Sequence, residues 1–164
     1  QGQFPCNVTG GEDTSVYIKQ YTDILQKLKS STDIVVVGGG ACGVEMAGEI
    51  VTDFKDKKVS LVHSRDYLVE GDFLPKFRKG AEDQLRAKGV LLVLGEKVSN
   101  LSELPRDGSS RCTVKTDKGR EIEADLVIVC VGLPCNSSAY ASSLGGRMEA
   151  SGHLKVNQYL QVEG

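Results

Sequence analysis

The chain has 164 residues, enough for one domain with a full core and too few for two ordinary ones. Hydrophobic residues make up 40% and charged residues 26%, and the formal net charge of -2 gives no electrostatic ground for a nucleic-acid or acidic-membrane partner. No apolar run approaches the roughly 20 residues that span a bilayer, and the opening QGQFPCNVTGGEDTS lacks the charged and apolar regions of a signal peptide, so a soluble, cytoplasmic chain is expected.

Five cysteines, Cys6, Cys42, Cys112, Cys130 and Cys135, include no C-x-x-C pair and no histidine at metal spacing. The expectation is free thiols and no metal site, with Cys130 a small core residue in an apolar strand. The sequons at Asn7, Asn100 and Asn136 matter only in a secreted protein and are discounted. A chain that starts with glutamine and runs to LQVEG reads as a piece of a longer protein.

Residues 1–12, with Pro5, Gly10 and Gly11, form a lead-in. Asp13 can cap a helix to about Lys29, in which Tyr17, Ile18, Tyr21, Ile24, Leu25 and Leu28 make one apolar face that needs a sheet to cover. The stretch DIVVVGGGACGVEMAGE, Asp33 to Glu49, then reads as a buried strand, a glycine turn and a helix to about Phe54. Its Gly38, Gly39 and Gly40, with Gly43, supply a G-x-G-x-x-G. In that pattern Gly38 permits the tight turn, Gly40 lets backbone approach phosphates, and Gly43 lets the helix pack closely on the sheet. The helix N-terminus, at Ala41 and Cys42, points unpaired N–H groups at an anion. A glycine motif alone is weak, but strand before and helix after are the context it needs for a dinucleotide. Glu45 reads as a first-turn carboxylate that either complements the helix dipole or reaches a nicotinamide carboxamide.

Val59 to His63 is the second strand, Pro75 to Lys88 a helix stopped by Gly89, and Val90 to Leu94 the third strand. Three short segments, Glu96 to Ser99, Arg111 to Thr116 and Arg120 to Glu123, suggest a small antiparallel meander in place of a helix, before the apolar strand Asp125 to Val131 rejoins the parallel sheet. The fold class expected is α/β: a Rossmann-like parallel sheet with a β-meander crossover, forming a single NAD(P)-binding domain over 13–135. Residues 136–164 are Ser- and Gly-rich, with a helical turn near Tyr140, and read as a segment returning toward another domain.

An acidic residue at the end of the second strand normally binds the adenosine ribose of NAD. Here that place holds His63, followed by Ser64 and Arg65. Without a carboxylate to repel it, a 2'-phosphate fits there through charge-assisted hydrogen bonds; equally, His63 and Arg65 are solvated residues and NADH binds through neutral contacts. The expectation is use of NADH or NADPH, with His63 as a pH-sensitive element. No nucleophile has a base at interpretable spacing, so no catalytic residue is assigned.

With GGGACGVEMAGE, VSLVHS, LVIVCVGLPCNSSAY and LKVNQYLQVEG in hand, the chain resembles the NAD(P)H-binding domain of type II NADH:quinone oxidoreductases and flavoproteins related to apoptosis-inducing factor. Agreement extends to KVSNLSELP and TDKG, outside the glycine motif. The resemblance implies an FAD-dependent oxidoreductase that takes hydride from NAD(P)H and reduces ubiquinone or vitamin K, keeping a lipid radical trap reduced. It places the full-length relatives at membranes, lipid droplets or the mitochondrial surface through N-terminal lipidation. It also implies that nucleotide lies along Gly38, Gly39, Gly40, Ala41, Cys42, Gly43 and Glu45, with its adenosine end at His63, Ser64 and Arg65. Val98 would sit beside the adenine, and Val131 and Gly132 at the nicotinamide side. The family's separate FAD fingerprint is not in this stretch, so nucleotide binding without turnover is expected of it. A non-catalytic NAD(P)H-sensing or interaction module and, third, a methyltransferase-like domain are the other readings of the same glycine motif.

Overall fold

The computed structural model describes residues 13–69, 71, 73–105, 108–132, 135 and 137–162. The lead-in 1–12 lies outside the described residues. The chain divides into two compact units, 1–131 and 132–164, against the 135/136 boundary expected from the sequence.

In the first unit, helix α1 (Thr14–Ser30) precedes strand β1 (Asp33–Val37), helix α2 (Ala41–Asp53), strand β2 (Lys58–His63), helix α3 (Pro75–Ala87) and strand β3 (Leu91–Leu94). Strands β4 (Cys112–Lys115), β5 (Glu121–Ala124) and β6 (Leu126–Val129) follow. The main sheet has the order β3-β2-β1-β6 and every pairing in it is parallel. The chain therefore moves outward from β1 to β3 and returns to the other side of β1 with β6. That reversal leaves a crevice beyond the carboxyl ends of β1 and β6, the place where open α/β sheets bind ligands.

Residues of β1 alternate between two cores, as the two-residue period of a strand requires. Ile34 and Val36 join Ala47, Ile50, Leu61, Leu85 and Leu126 under α2 and α3. Val35 and Val37 join Val62, Val93, Val98, Val114 and Ala124 on the opposite face, which the β4–β5 pair covers. Burial on both faces explains why β1 reads as an unbroken apolar run.

The expected meander is two strands, not three. Antiparallel β4 and β5 pair from Cys112 with Ala124 to Lys115 with Glu121, while the predicted first segment supplies a single bridge between Val98 and Thr116. Two backbone bonds flank that bridge, from Ser99 N–H to Lys115 O and from Asp117 N–H to Lys97 O, at 2.8 Å each. Side chains extend this short pairing: Lys115 N–H donates to Asn100 Oδ1 at 2.9 Å, and Lys97 N–H to Asp117 Oδ1 at 2.9 Å.

The expectation for α1 is also corrected. Asp13 does cap it, accepting from Ser15 N–H at 2.8 Å. Yet none of its residues is buried, and Ile18, Tyr21 and Leu25 are exposed at 62%, 49% and 40%. Among the described residues of α1, Leu28 is the one packed against the helix-side core. The sheet face it was expected to cover is already filled by α2 and α3, so one apolar helical stripe meets solvent. Among the described residues no helix is long and apolar enough to cross a membrane.

In the second unit, turns over Ser138–Tyr140 and Gly145–Arg147 flank the four-residue helix α4 (Ala141–Leu144). Two isolated antiparallel bridges, Met148 to Leu154 and Val156 to Val162, are its only described strand-like pairings. Of the described cysteines, Cys42, Cys112, Cys130 and Cys135, none is in a disulfide.

An acidic anchor closes the amino-terminal end of the sheet. Asp125 Oδ2 accepts from Thr32 N–H and Asp33 N–H at 2.9 Å each, and its Oδ1 accepts from Arg111 at 2.6 Å. These backbone donors first, and Arg111 after them, hold the Asp125 carboxyl below its ordinary range. A lowered folded pKa means the stabilisation is present above the unfolded value of 3.8 and disappears as pH falls through the folded value. Asp125→Asn should therefore lower unfolding free energy at pH 7 by about 1–2 kcal/mol, with the deficit shrinking below pH 3.8; urea melts across pH measure it.

Candidate functional site

Beyond Val37 the backbone turns at Gly38, whose φ of 109° suits glycine, and Gly38 N–H donates to Val62 O at 2.8 Å. A Cβ on Gly43 would lie 1.8 Å from Gly38 O, so α2 crosses β1 at a distance only glycine permits. Around Gly40, the residue before the first turn of α2, no atom lies within 4 Å of where a Cβ would stand. The space is open on the side where the motif brings phosphate to backbone. The first N–H groups of α2 have no partner within the helix, and Gly40 offers no side-chain cap. An anion fits this end. Ala41 and Cys42 are exposed on it. Glu45 is exposed as well, but it is the fifth residue of α2 and so stands on the second turn; the expected first-turn carboxylate is not there.

The end of β2 departs from expectation. The sequence readings put the His63 imidazole either against a 2'-phosphate or in solvent, whereas His63 is 6% exposed and its Nδ1 accepts from Gly39 N–H at 3.0 Å. A Cβ on Gly39 would lie 2.7 Å from His63 Cγ and 2.8 Å from Leu68 Cδ2, so ring and turn are in direct contact. Gly39 O in turn accepts from Val69 N–H at 2.8 Å. Val69 is buried with a φ of 58°, a rare conformation for a β-branched residue that costs about 1–3 kcal/mol. Ser64 and Arg65 are the exposed members of the trio.

A cleft of about 120 Å³ at the carboxyl ends of the strands is lined by Gly38, His63, Ser64, Val98 and Val131, together with Glu96. Five residues chosen from the sequence thus meet in one place. Val98 is buried and Val131 is half exposed. Gly132 is exposed and opens the second unit.

Glu96 escaped the sequence reading. It is 7% exposed, and its Oε2 accepts from Thr116 Oγ at 2.7 Å while Arg120 Nη2 donates to its Oε1 at 2.9 Å. Arg120, then Thr116, hold its carboxyl below the ordinary range against the opposing effect of burial. Its N–H donates to His63 O at 3.1 Å, and Gly95 N–H to Arg65 O at 2.7 Å, so the end of β3 carries the His63–Arg65 backbone. Only the β4–β5 fold brings Thr116 and Arg120 to Glu96; the sequence spacing holds no sign of it.

A larger groove of about 300 Å³ runs between α2 and α3, lined by Val44, Gly48, Phe77, Ala81 and Leu85. It lies on the helical layer, away from the strand ends, and its polar lining is Gln84 and Lys88.

A family model described as pyridine nucleotide-disulphide oxidoreductase matches residues 3–163. The chain belongs to that family. Among curated members, mouse ferroptosis suppressor protein 1 is 46% identical over 164 residues, and the human protein of the same name 44%; each match covers 99% of this chain and 44% of the relative. Apoptosis-inducing factor homolog A of Dictyostelium discoideum is 30% identical, covering 88% of this chain and 39% of that protein. This member of the oxidoreductase family therefore spans less than half the length of the relatives it matches. A water-forming NADH oxidase from Lactobacillus brevis, bound to NADH, shares the fold with a TM-score of 0.67 at 24% identity, over 92% of this chain and 31% of that one. An engineered water-forming NADPH oxidase, bound to NADPH, gives the same values.

The glycines separate two roles that a paired experiment reads. Gly43→Ala should destabilise the chain by about 3 kcal/mol or more, because its Cβ would strike the Gly38 backbone, which cannot rotate away. Gly40→Ala should leave the melting temperature within about 2 °C yet weaken NADH binding at least tenfold; calorimetry and thermal melts check both.

Proposed function

We propose that this chain is the NAD(P)H-binding part of a flavin-dependent oxidoreductase that reduces a quinone, ubiquinone or vitamin K, and so limits lipid peroxidation at a membrane or lipid-droplet surface. Within this stretch the role is to hold the hydride donor, without turnover of its own. The observation that carries the reading is the pairing at the turn: Gly38 and Gly43 are sterically committed to the fold, while Gly40, at the N-terminus of α2, faces open space. Family membership and the names of the relatives support the wider activity.

In this reading the N–H groups at the start of α2 bind the pyrophosphate. Ser64 and Arg65 meet the adenosine end, Val98 flanks the adenine, and Val131 and Gly132 border the nicotinamide, within reach of Glu45. His63 bears on the nucleotide from beneath the turn rather than through a charge at the strand end. FAD, held by parts of the protein outside this stretch, supplies the acceptor of the hydride; the chain's own residues position the donor.

With no carboxylate at the end of β2, the site accepts either nucleotide, and Arg65 biases it toward the 2'-phosphate. Isothermal titration should show NADH and NADPH binding with no loss of absorbance at 340 nm. Arg65→Glu should weaken NADPH relative to NADH by about tenfold or more, since repulsion replaces a charge-assisted bond. An unchanged ratio removes Arg65 from the site, and no binding of either nucleotide overturns the proposal.

A further inference from the structure

Both polar groups of Gly39 are taken by the segment that follows β2. Its N–H goes to the Nδ1 of buried His63, and its carbonyl accepts from Val69, a buried β-branched residue at positive φ. The segment that presents Ser64 and Arg65 is thereby fastened at both ends to the middle of the glycine turn. Nδ1 can accept only through its lone pair, so the ring is neutral with its proton on Nε2. An imidazolium carries N–H on both nitrogens and would set a donor against the Gly39 donor. The contact between ring and turn leaves no slack, since even a Cβ on Gly39 would strike the ring.

We propose that His63 is a positioning residue for the phosphate turn: by accepting from Gly39 N–H it sets the orientation in which Gly40 and α2 receive the pyrophosphate, and protonation of the ring releases that hold. The inference rests on the nucleotide reading above and deepens it. It relocates the pH sensitivity of the site from the 2' position to the pyrophosphate turn, where it acts on NADH and NADPH alike. Among the described residues, the titratable groups on the neighbouring elements include Arg65, Asp66 and Tyr67 after β2, Glu96 and Lys97 after β3, and Cys42 and Glu45 on α2. Glu96, the buried carboxylate among them, is engaged through both oxygens by Arg120 and Thr116.

The test measures binding of ADP-ribose, which keeps the pyrophosphate and tolerates acid, between pH 8 and 5.5, anchored by NADH binding at pH 8. Affinity of the unmodified chain should fall on acidification as the ring takes up a proton, approaching tenfold per pH unit below the midpoint. His63→Leu, which deletes the acceptor, should bind about tenfold more weakly at pH 8. His63→Asn, whose Oδ1 can take the same amide and cannot be protonated, should recover most of that loss and give a flat pH profile. In the ligand-free protein, the Gly39 amide resonance should shift with the His63 titration. Parallel profiles for the unmodified and His63→Asn chains, full-strength binding by His63→Leu, or a Gly39 amide that ignores the titration overturns the inference while leaving the nucleotide reading in place. Failure of the unmodified chain to bind NADH at pH 8 overturns both.

Discussion

The rest of the structure depends on one close approach, the passage of α2 over the end of β1 at Gly43. With Gly38 O only 1.8 Å from where a Cβ would be, no other residue lets the helix start there. That contact fixes the axis of α2, and through Ala47, Ile50 and Val51 the helix-side core. It also aims the N-terminus of α2 past the carboxyl end of β1. Packing and recognition are thus set by the same absence of a methyl group.

Most of this first unit is written in local patterns. Ile34 to Val37 declare a strand buried on both faces, Pro75 and Gly89 bracket α3, and the glycines declare the turn. What one sequence does not carry is which side chain meets which across distance. His63 read as a strand-end residue open to nucleotide or to water; Leu68 and the glycine turn cover it instead. Glu96 became part of the cleft only because the β4–β5 pair brings Thr116 and Arg120 to it. The amphipathic pattern of α1 was read correctly as a helix and wrongly as a buried one, for periodicity reports a face and not its occupant.

The site combines two chemistries that the sequence reading kept apart. Backbone N–H groups on a helix end bind charge without selecting a nucleoside. In the proposed reading the side chains after β2 select, and their segment is tied to the backbone part through Gly39. The glycine turn and the segment after β2 are therefore mechanically joined, and the unusual φ of Val69 marks where the joint is held under strain.

The anchor formed by Asp125, Arg111 and the amides of Thr32 and Asp33 sits at the opposite end of β1 from the glycine turn. Robustness and recognition thereby occupy separate ends of the same strand. Lineages carrying this architecture have a reserve for drift: substitutions near Arg111 can raise or lower tolerance to further mutation without touching the surface that selects a nucleotide. An engineer can draw on the same reserve before redesigning Ser64 or Arg65.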